Sequence, residues 1–162
     1  TAEYVFVTET IQSFGETNQA DMKISEAVWV NRTTLLVDER TDKIARIYAI
    51  DLASATNVLG TKWDDPAQRP TLEALTPADL ATNAIVPARK TLVVDINQVV
   101  GAKTPEKIEG LAIQDPWTIV VGNDNDFDIL QGFDAAGNLK PTGTLCELLF
   151  IRLSQPLALE AP

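Results

Sequence analysis

Histidine is absent from this 162-residue sequence, and cysteine occurs once. Without histidine there is no Ser-His-Asp or Cys-His catalysis within the chain and no zinc site that needs imidazole. Chemistry must therefore rest on carboxylates, and a hard, oxygen-preferring cation such as calcium suits that inventory better than zinc or copper. The single Cys146 cannot close an intrachain disulfide. Its surroundings, Thr144-Leu-Cys-Glu-Leu-Leu-Phe-Ile-Arg152, predict a buried structural thiol. Also missing are a Gly-x-Ser-x-Gly elbow, a Gly-rich phosphate cradle and a dinucleotide fingerprint, which disfavours serine esterase chemistry, nucleotide hydrolysis and NAD binding.

Basic residues are scarce, 13 against 23 acidic, and the net charge of −10 repels phosphate backbones and anionic lipid. Lys103 and Lys107 are the nearest thing to a basic cluster, so neither nucleic acid nor a membrane surface is an expected partner. No run approaches the roughly 18 apolar residues of a membrane-spanning helix, and no signal-peptide layout opens the chain. The opening at Thr1 rather than Met suggests that a leader or a larger N-terminal part has been removed.

With 45% apolar residues the chain has the material for a packed core. Stretches rich in β-branched and aromatic residues predict nine strands, at 4–8, 24–30, 33–38, 45–51, 91–96, 108–113, 118–122, 128–133 and 145–153. Their ten-residue rhythm favours an all-β sandwich, barrel or propeller over a parallel βαβ sheet. Residues 61–90 break the rhythm with four prolines and a short helix over 77–81, capped by Thr76, and form a partly helical excursion. Residues 95–100 read as a helical turn. Two units align: Lys23-Ile-Ser-Glu-Ala-Val-Trp-Val followed by Thr34-Leu-Leu-Val-Asp-Glu-Arg40, and Lys107-Ile-Glu-Gly-Leu-Ala-Ile followed by Thr118-Ile-Val-Val-Gly-Asn-Asp124. Each places carboxylates after its second strand, as radially repeated blades would.

The clearest chemical feature is Asn123-Asp124-Asn125-Asp126-Phe127-Asp128. If extended, it sets Asp124, Asp126 and Asp128 on one face and Asn123 and Asn125 on the other, and a divalent cation would relieve the repulsion. The alternative is an acidic turn whose side chains cap backbone N–H groups. An EF-hand is excluded, because loop positions six and twelve are Ile129 and Ala135. Glu109, before the permissive Gly110, is a metal ligand or general base, or else a strand-end ion pair. Asp38, Glu39 and Arg40 offer two carboxylates and a guanidinium fork for a phosphate or carboxylate, with an internal ion pair as the alternative. Trp29, Trp63 and Trp117 read as packing residues. The Asn31-Arg32-Thr33 sequon carries little weight.

Lys107-Ile-Glu-Gly-Leu-Ala112, Asn123-Asp-Asn-Asp-Phe127, Leu35-Leu-Val-Asp-Glu-Arg40 and Ala49-Ile-Asp-Leu-Ala-Ser-Ala-Thr-Asn-Val58 together resemble the family described as having esterase-like activity of phytase. The resemblance runs through most of residues 24–133 and looks like the family's C-terminal part. It implies a β-propeller, export to a secreted or periplasmic location, and hydrolysis of phosphate or carboxylic esters. Nine strands make only about two four-stranded blades, whereas closed propellers use about 4–8. Residues 1–162 are thus expected to be one C-terminal fragment, with 61–90 inserted in it. The missing N-terminal half would come from the same protein or from a companion chain. The expected site has Glu109 and Arg40 as catalytic residues, and Glu39, Glu109, Asn123, Asp124, Asp126 and Asp128 as ligands of calcium. A non-catalytic propeller with a structural calcium ion is the competing expectation.

Overall fold

The structure, a computed structural model, describes residues 1–129 and 132–160. β1 (Lys23–Asn31) and β2 (Thr34–Arg40) form a hairpin whose two-residue turn is held by the Asn31 side chain, which accepts from the Thr33 N–H at 3.1 Å. β3 (Ala45–Asp51) pairs with β2, and β4 (Arg89–Asp95) pairs with β3 after the chain returns from a long detour. All pairings are antiparallel, giving a four-stranded sheet in the order β1-β2-β3-β4. A second antiparallel sheet follows in the order β5-β6-β7, built from β5 (Ile108–Asp115), β6 (Thr118–Asn123) and β7 (Leu148–Arg152). The protein is all-β with few helices. The second sheet has three strands among the described residues, not the expected four.

The sheets pack against each other across one core. Leu36 and Ile47 of the first sheet meet Ile119, Val121 and Ile151 of the second, all of them buried. The period-2 pattern explains the division of labour in β2: Leu36, Asp38 and Arg40 point toward the second sheet, whereas Leu35, Val37 and Glu39 point away. A second cluster of Val37, Tyr48, Ile50 and Ala88 lies on that far face, with Phe6 packed onto it.

Three predicted strands differ from what forms. Residues 4–8 are extended but join no sheet. They lie over the far face of the first sheet, where the Val5 carbonyl accepts from Ala88 N at 2.8 Å. The strand predicted at 145–153 starts only at Leu148, because the Asn123 side chain takes the backbone just before it: its amide donates to Leu145 O at 3.0 Å and its carbonyl accepts from Glu147 N at 2.7 Å. Of the strand predicted at 128–133, residues 130 and 131 lie outside the described residues; Asp128 belongs to a turn and Phe133 forms an isolated bridge with Leu139.

The helical expectations hold. α1 (Pro77–Thr82) has proline in its first turn and a reciprocal capping box between Thr76 and Asp79. α2 (Ile96–Val100) is capped by Asp95, whose carboxylate accepts from Gln98 N at 3.0 Å. Two packing expectations are corrected. Cys146 is exposed, because the strand starts beyond it. Trp29 and Trp117 are 55% and 40% exposed and belong to none of the core clusters, whereas Trp63 packs on one.

Candidate functional site

The alternation of β2 delivers Asp38 and Arg40 to the end of the sheets where β5 begins. Asp38 is fully buried, and neither of its carboxylate oxygens has a hydrogen-bond partner. Burial raises its pKa to about 7, with Glu109, Glu26 and Glu39 adding to the rise and Arg40 opposing it. A buried carboxyl this short of partners favours its neutral form.

Arg40 beside it is equally buried but fully engaged. Its guanidinium donates to Ser25 Oγ at 2.8 Å, to Asp42 Oδ1 at 3.0 Å and to the Thr41 carbonyl at 3.4 Å, and it pairs with the Glu109 carboxylate. Each guanidinium nitrogen therefore has an acceptor within the protein. Of the two roles open to Arg40 in the sequence, this is the internal ion pair. Glu109 sits at an irregularity in the β5 ladder between Ile108 and Gly110, and its side chain remains about one-third exposed at 34%.

The acidic stretch is not extended, which corrects the expected sharing of one face by Asp124, Asp126 and Asp128. Asp126, Phe127 and Asp128 have φ of 51°, 57° and 60°, so the chain turns left-handed and side-chain alternation stops. Asp124 caps this turn, accepting from Asp126 N at 2.8 Å. Asp128 faces a different segment, accepting from Thr142 N at 2.6 Å and Gly143 N at 2.9 Å; the Thr142 hydroxyl holds its pKa below the ordinary carboxylate value. Asn123 is buried and spent on the backbone ahead of β7.

Glu39 lies on the opposite face of β2 from Arg40. There it pairs with Lys90 at 2.8 Å and accepts from the Glu9 N–H. The Lys90 ammonium also stands 4.5 Å from the Tyr48 ring centre. The expectation that Glu39 joins Glu109 in one ligand set is corrected by this alternation. Among the described residues, no group of three or more His, Cys, Asp or Glu side chains is arranged to hold a metal ion.

A family model described as Phytase-like, esterase-like activity of phytase, matches residues 1–127. The chain belongs to this family. No curated protein and no solved structure matches it. The phytase-like match spans the first sheet, β5, β6 and the acidic turn as far as Phe127, and so includes both halves of the Arg40–Glu109 pair. The family's description is of a hydrolase-type activity.

One residue central to this cluster carried no role in the sequence. Lys107, itself at φ 56°, pairs with the Asp126 carboxylate and lies 3.8 Å from Asp124. The bond to Asp126 raises the pKa of the ammonium. Its backbone N–H donates to the Asp42 carbonyl at 2.7 Å, and its own carbonyl accepts from Asp124 N at 2.9 Å. Lys107 therefore ties the acidic turn to the loop after β2, and Asp42 in that loop also binds Arg40. The available signal was its spacing: a cation two residues before Glu109, in a chain short of cations.

Proposed function

We propose that the chain is part of a hydrolase of phosphate esters, or secondarily of carboxylic esters, acting where Asp38, Arg40 and Glu109 meet the Lys107-centred acidic turn. The observation that carries this reading is Asp38, a fully buried carboxyl with no partner whose pKa lies near neutrality, beside an ion pair that reaches the surface at Glu109. Groups poised near neutral pH are what acid-base hydrolysis requires, and they concentrate at functional sites. Lys107 supplies a cation for an anionic substrate oxygen, and Glu109 is the exposed carboxylate able to accept a proton from water.

Calcium dependence belongs to the same proposal. The donors here are all oxygens, and Asp126 keeps one buried carboxylate oxygen without a partner, which suits a hard cation. Asp126 is the residue that would offer it an oxygen, with the other ligands coming from outside the chain. When bound, calcium would polarise the ester oxygen and lower the pKa of a bound water. Asp128, Asn123 and Glu39 drop out of this set because their oxygens hold backbone or Lys90. On this reading the two sheets are consecutive blades of a propeller. The remaining blades come from the rest of the protein or from a companion chain, and the location is secreted or periplasmic.

The test is turnover of a panel of phosphate and carboxylic esters by the complete protein, with and without chelator. Chelator-insensitive turnover removes calcium from the proposal, and no turnover on either ester class removes the hydrolase. A second reading is a non-catalytic propeller with a structural calcium ion; its non-catalytic part is favoured by the pairing of Asp124, Asp126 and Glu109 with protein cations. Asp124→Asn with Asp126→Asn separates the two. Lost activity at unchanged melting temperature supports catalysis, and lost stability alone supports the structural ion.

A further inference from the structure

The two sheets share a device at the end where the acidic turn lies. In the first, Lys23 at the start of β1 pairs with Asp42 beyond the end of β2, at 3.0 Å; in the second, Lys107 just before β5 pairs with Asp126 beyond the end of β6. Each pair spans 19 positions of sequence. The residue opposite the lysine is Arg40 in the first unit and, through its N–H bond to the Lys107 carbonyl, Asp124 in the second. Irregularities in the two ladders also correspond: Ser25 falls between Ile24 and Glu26, and Glu109 between Ile108 and Gly110. Such bulges re-aim a side chain. The Arg40 guanidinium lies between these two residues, donating from Nε to Ser25 Oγ and from one terminal nitrogen to Glu109.

Asp42 completes the arrangement from a third side. Its Oδ1 accepts from the other terminal nitrogen of Arg40 at 3.0 Å and from the Lys23 ammonium at 3.0 Å, while its main-chain carbonyl accepts from Lys107 N at 2.7 Å. As a source of stability the Lys23–Asp42 pair is poor, because its side chains are 45% and 57% exposed and exposed pairs add little. What it supplies is direction. A guanidinium is a planar fork, so contacts on Nε and on one terminal nitrogen fix its plane, and with it the line of the remaining nitrogen toward Glu109. Apart from Asp42, the groups that brace Arg40 from behind are neutral: Ser25 Oγ at 2.8 Å and the Thr41 carbonyl at 3.4 Å. The charge-assisted bond to Asp42 is the strong member of that set. Lys23 in turn holds the Asp42 carboxyl below its ordinary pKa, with Arg40 adding to the effect, so Asp42 is ionised at neutral pH. By sharing the charge of Asp42, Lys23 also leaves more of the Arg40 charge for Glu109.

We infer that Asp42, braced by Lys23, is a positioning residue that aims the Arg40 guanidinium at Glu109. Its effect on turnover rests on the hydrolytic reading of this site; its effect on Arg40 does not. The test is the side-chain nitrogen NMR spectrum of Arg40 in the complete protein, assigned by its loss in Arg40→Lys. In the parent the two terminal nitrogens should give separate signals, because a guanidinium held on both arms rotates slowly. Asp42→Ala keeps the main-chain bond to Lys107 and should merge the two signals, with the backbone amide spectrum otherwise unchanged. Arg89→Met removes another exposed ion pair, on β4 at the far edge of the first sheet, and should leave them separate. On an ester that the protein turns over, Asp42→Ala should lower kcat about 10-fold to 100-fold with KM little changed. If Asp42→Ala misfolds, Asp42→Asn, of the same shape without the charge, should move the Arg40 signals in the same direction. Signals already merged in the parent, or unmoved in both Asp42 variants, overturn the inference, as does a kcat that stays constant when the signals merge. Turnover of no ester at all overturns the hydrolytic reading instead, and the Arg40 spectra still decide the positioning.

Discussion

Arg40 of the first sheet and Glu109 of the second form an ion pair that bridges the two sheets at the end where the acidic turn begins. Its two members differ in burial: the Arg40 side chain is 3% exposed and that of Glu109 is 34% exposed. The pair therefore joins an interior charge to one within reach of water.

That asymmetry sets the effect of removing either partner. Glu109→Ala withdraws one acceptor from a buried guanidinium while Ser25 and Asp42 remain, so a loss of about 2 kcal/mol is expected in urea denaturation. Arg40→Ala should cost more, about 3–5 kcal/mol, because it also opens a hole beside Asp38 and removes the cation that favours that carboxylate. If Arg40→Ala proves milder than Glu109→Ala, the assignment of Arg40 as the hub of this network fails.

Asp38 makes stability depend on pH. Its folded-state pKa, about 7, lies above the ordinary 3.8, so between those values the native state holds more protons than the unfolded chain. Stability should therefore fall as pH rises through that window and level off above about 7, by at most about 4 kcal/mol. The charged groups acting on Asp38 are Glu26 on β1, Arg40 on β2 and Glu109 on β5, with Glu39 acting from the opposite face of β2, and the three carboxylates all act in the same direction. In Asp38→Asn the decline should largely disappear, leaving the variant more stable than the parent at pH 8 but not at pH 4. Denaturant melts at a series of pH values measure this, and an undiminished decline in the variant would rule out Asp38 as its source.

Lys90 neutralises the fully buried Glu39 and also binds Glu9, which fastens residues 4–9 across the first sheet. Lys90→Met keeps apolar bulk near Tyr48 but strands the Glu39 charge, and should cost about 3–5 kcal/mol. Glu39→Gln in the same chain should restore part of that loss. Limited proteolysis near the N-terminus should report the same release, with earlier cleavage in Lys90→Met than in the parent.

Phe127 is 87% exposed and sits at φ 57°, a conformation that costs a non-glycine residue about 1–2 kcal/mol. Phe127→Gly should therefore raise stability slightly, by about 0.5–1 kcal/mol after glycine's larger unfolded-state entropy is counted. A thermal melt shows the sign. A drop would mean that the ring makes a contact that its exposure does not reveal.

Strand periodicity, the Thr76 cap and the proline opening of α1 are local properties, and each was legible in the sequence because side chain, cap and turn lie within a few residues of one another. The motif set that placed the chain in its family was legible for the same reason, since the family match rests on sequence. The failures share one cause. Residues 4–8 have strand composition, but strand formation needs an edge to pair with, and this segment lies across a face. The acidic stretch looked extended because its left-handed turn is held not only by its neighbour Asp124 but by Lys107, which bonds Asp126 across 19 positions of sequence. Which carboxylate finds a cation and which finds nothing is a matter of distance between chain segments. The sequence by itself determined most of the strands, both helices and the family. Only the tertiary structure decided that Arg40 is matched by Glu109, that Glu39 turns away from both, and that Asp38 is buried without a partner, because electrostatic pairing and desolvation act through space and not along the chain.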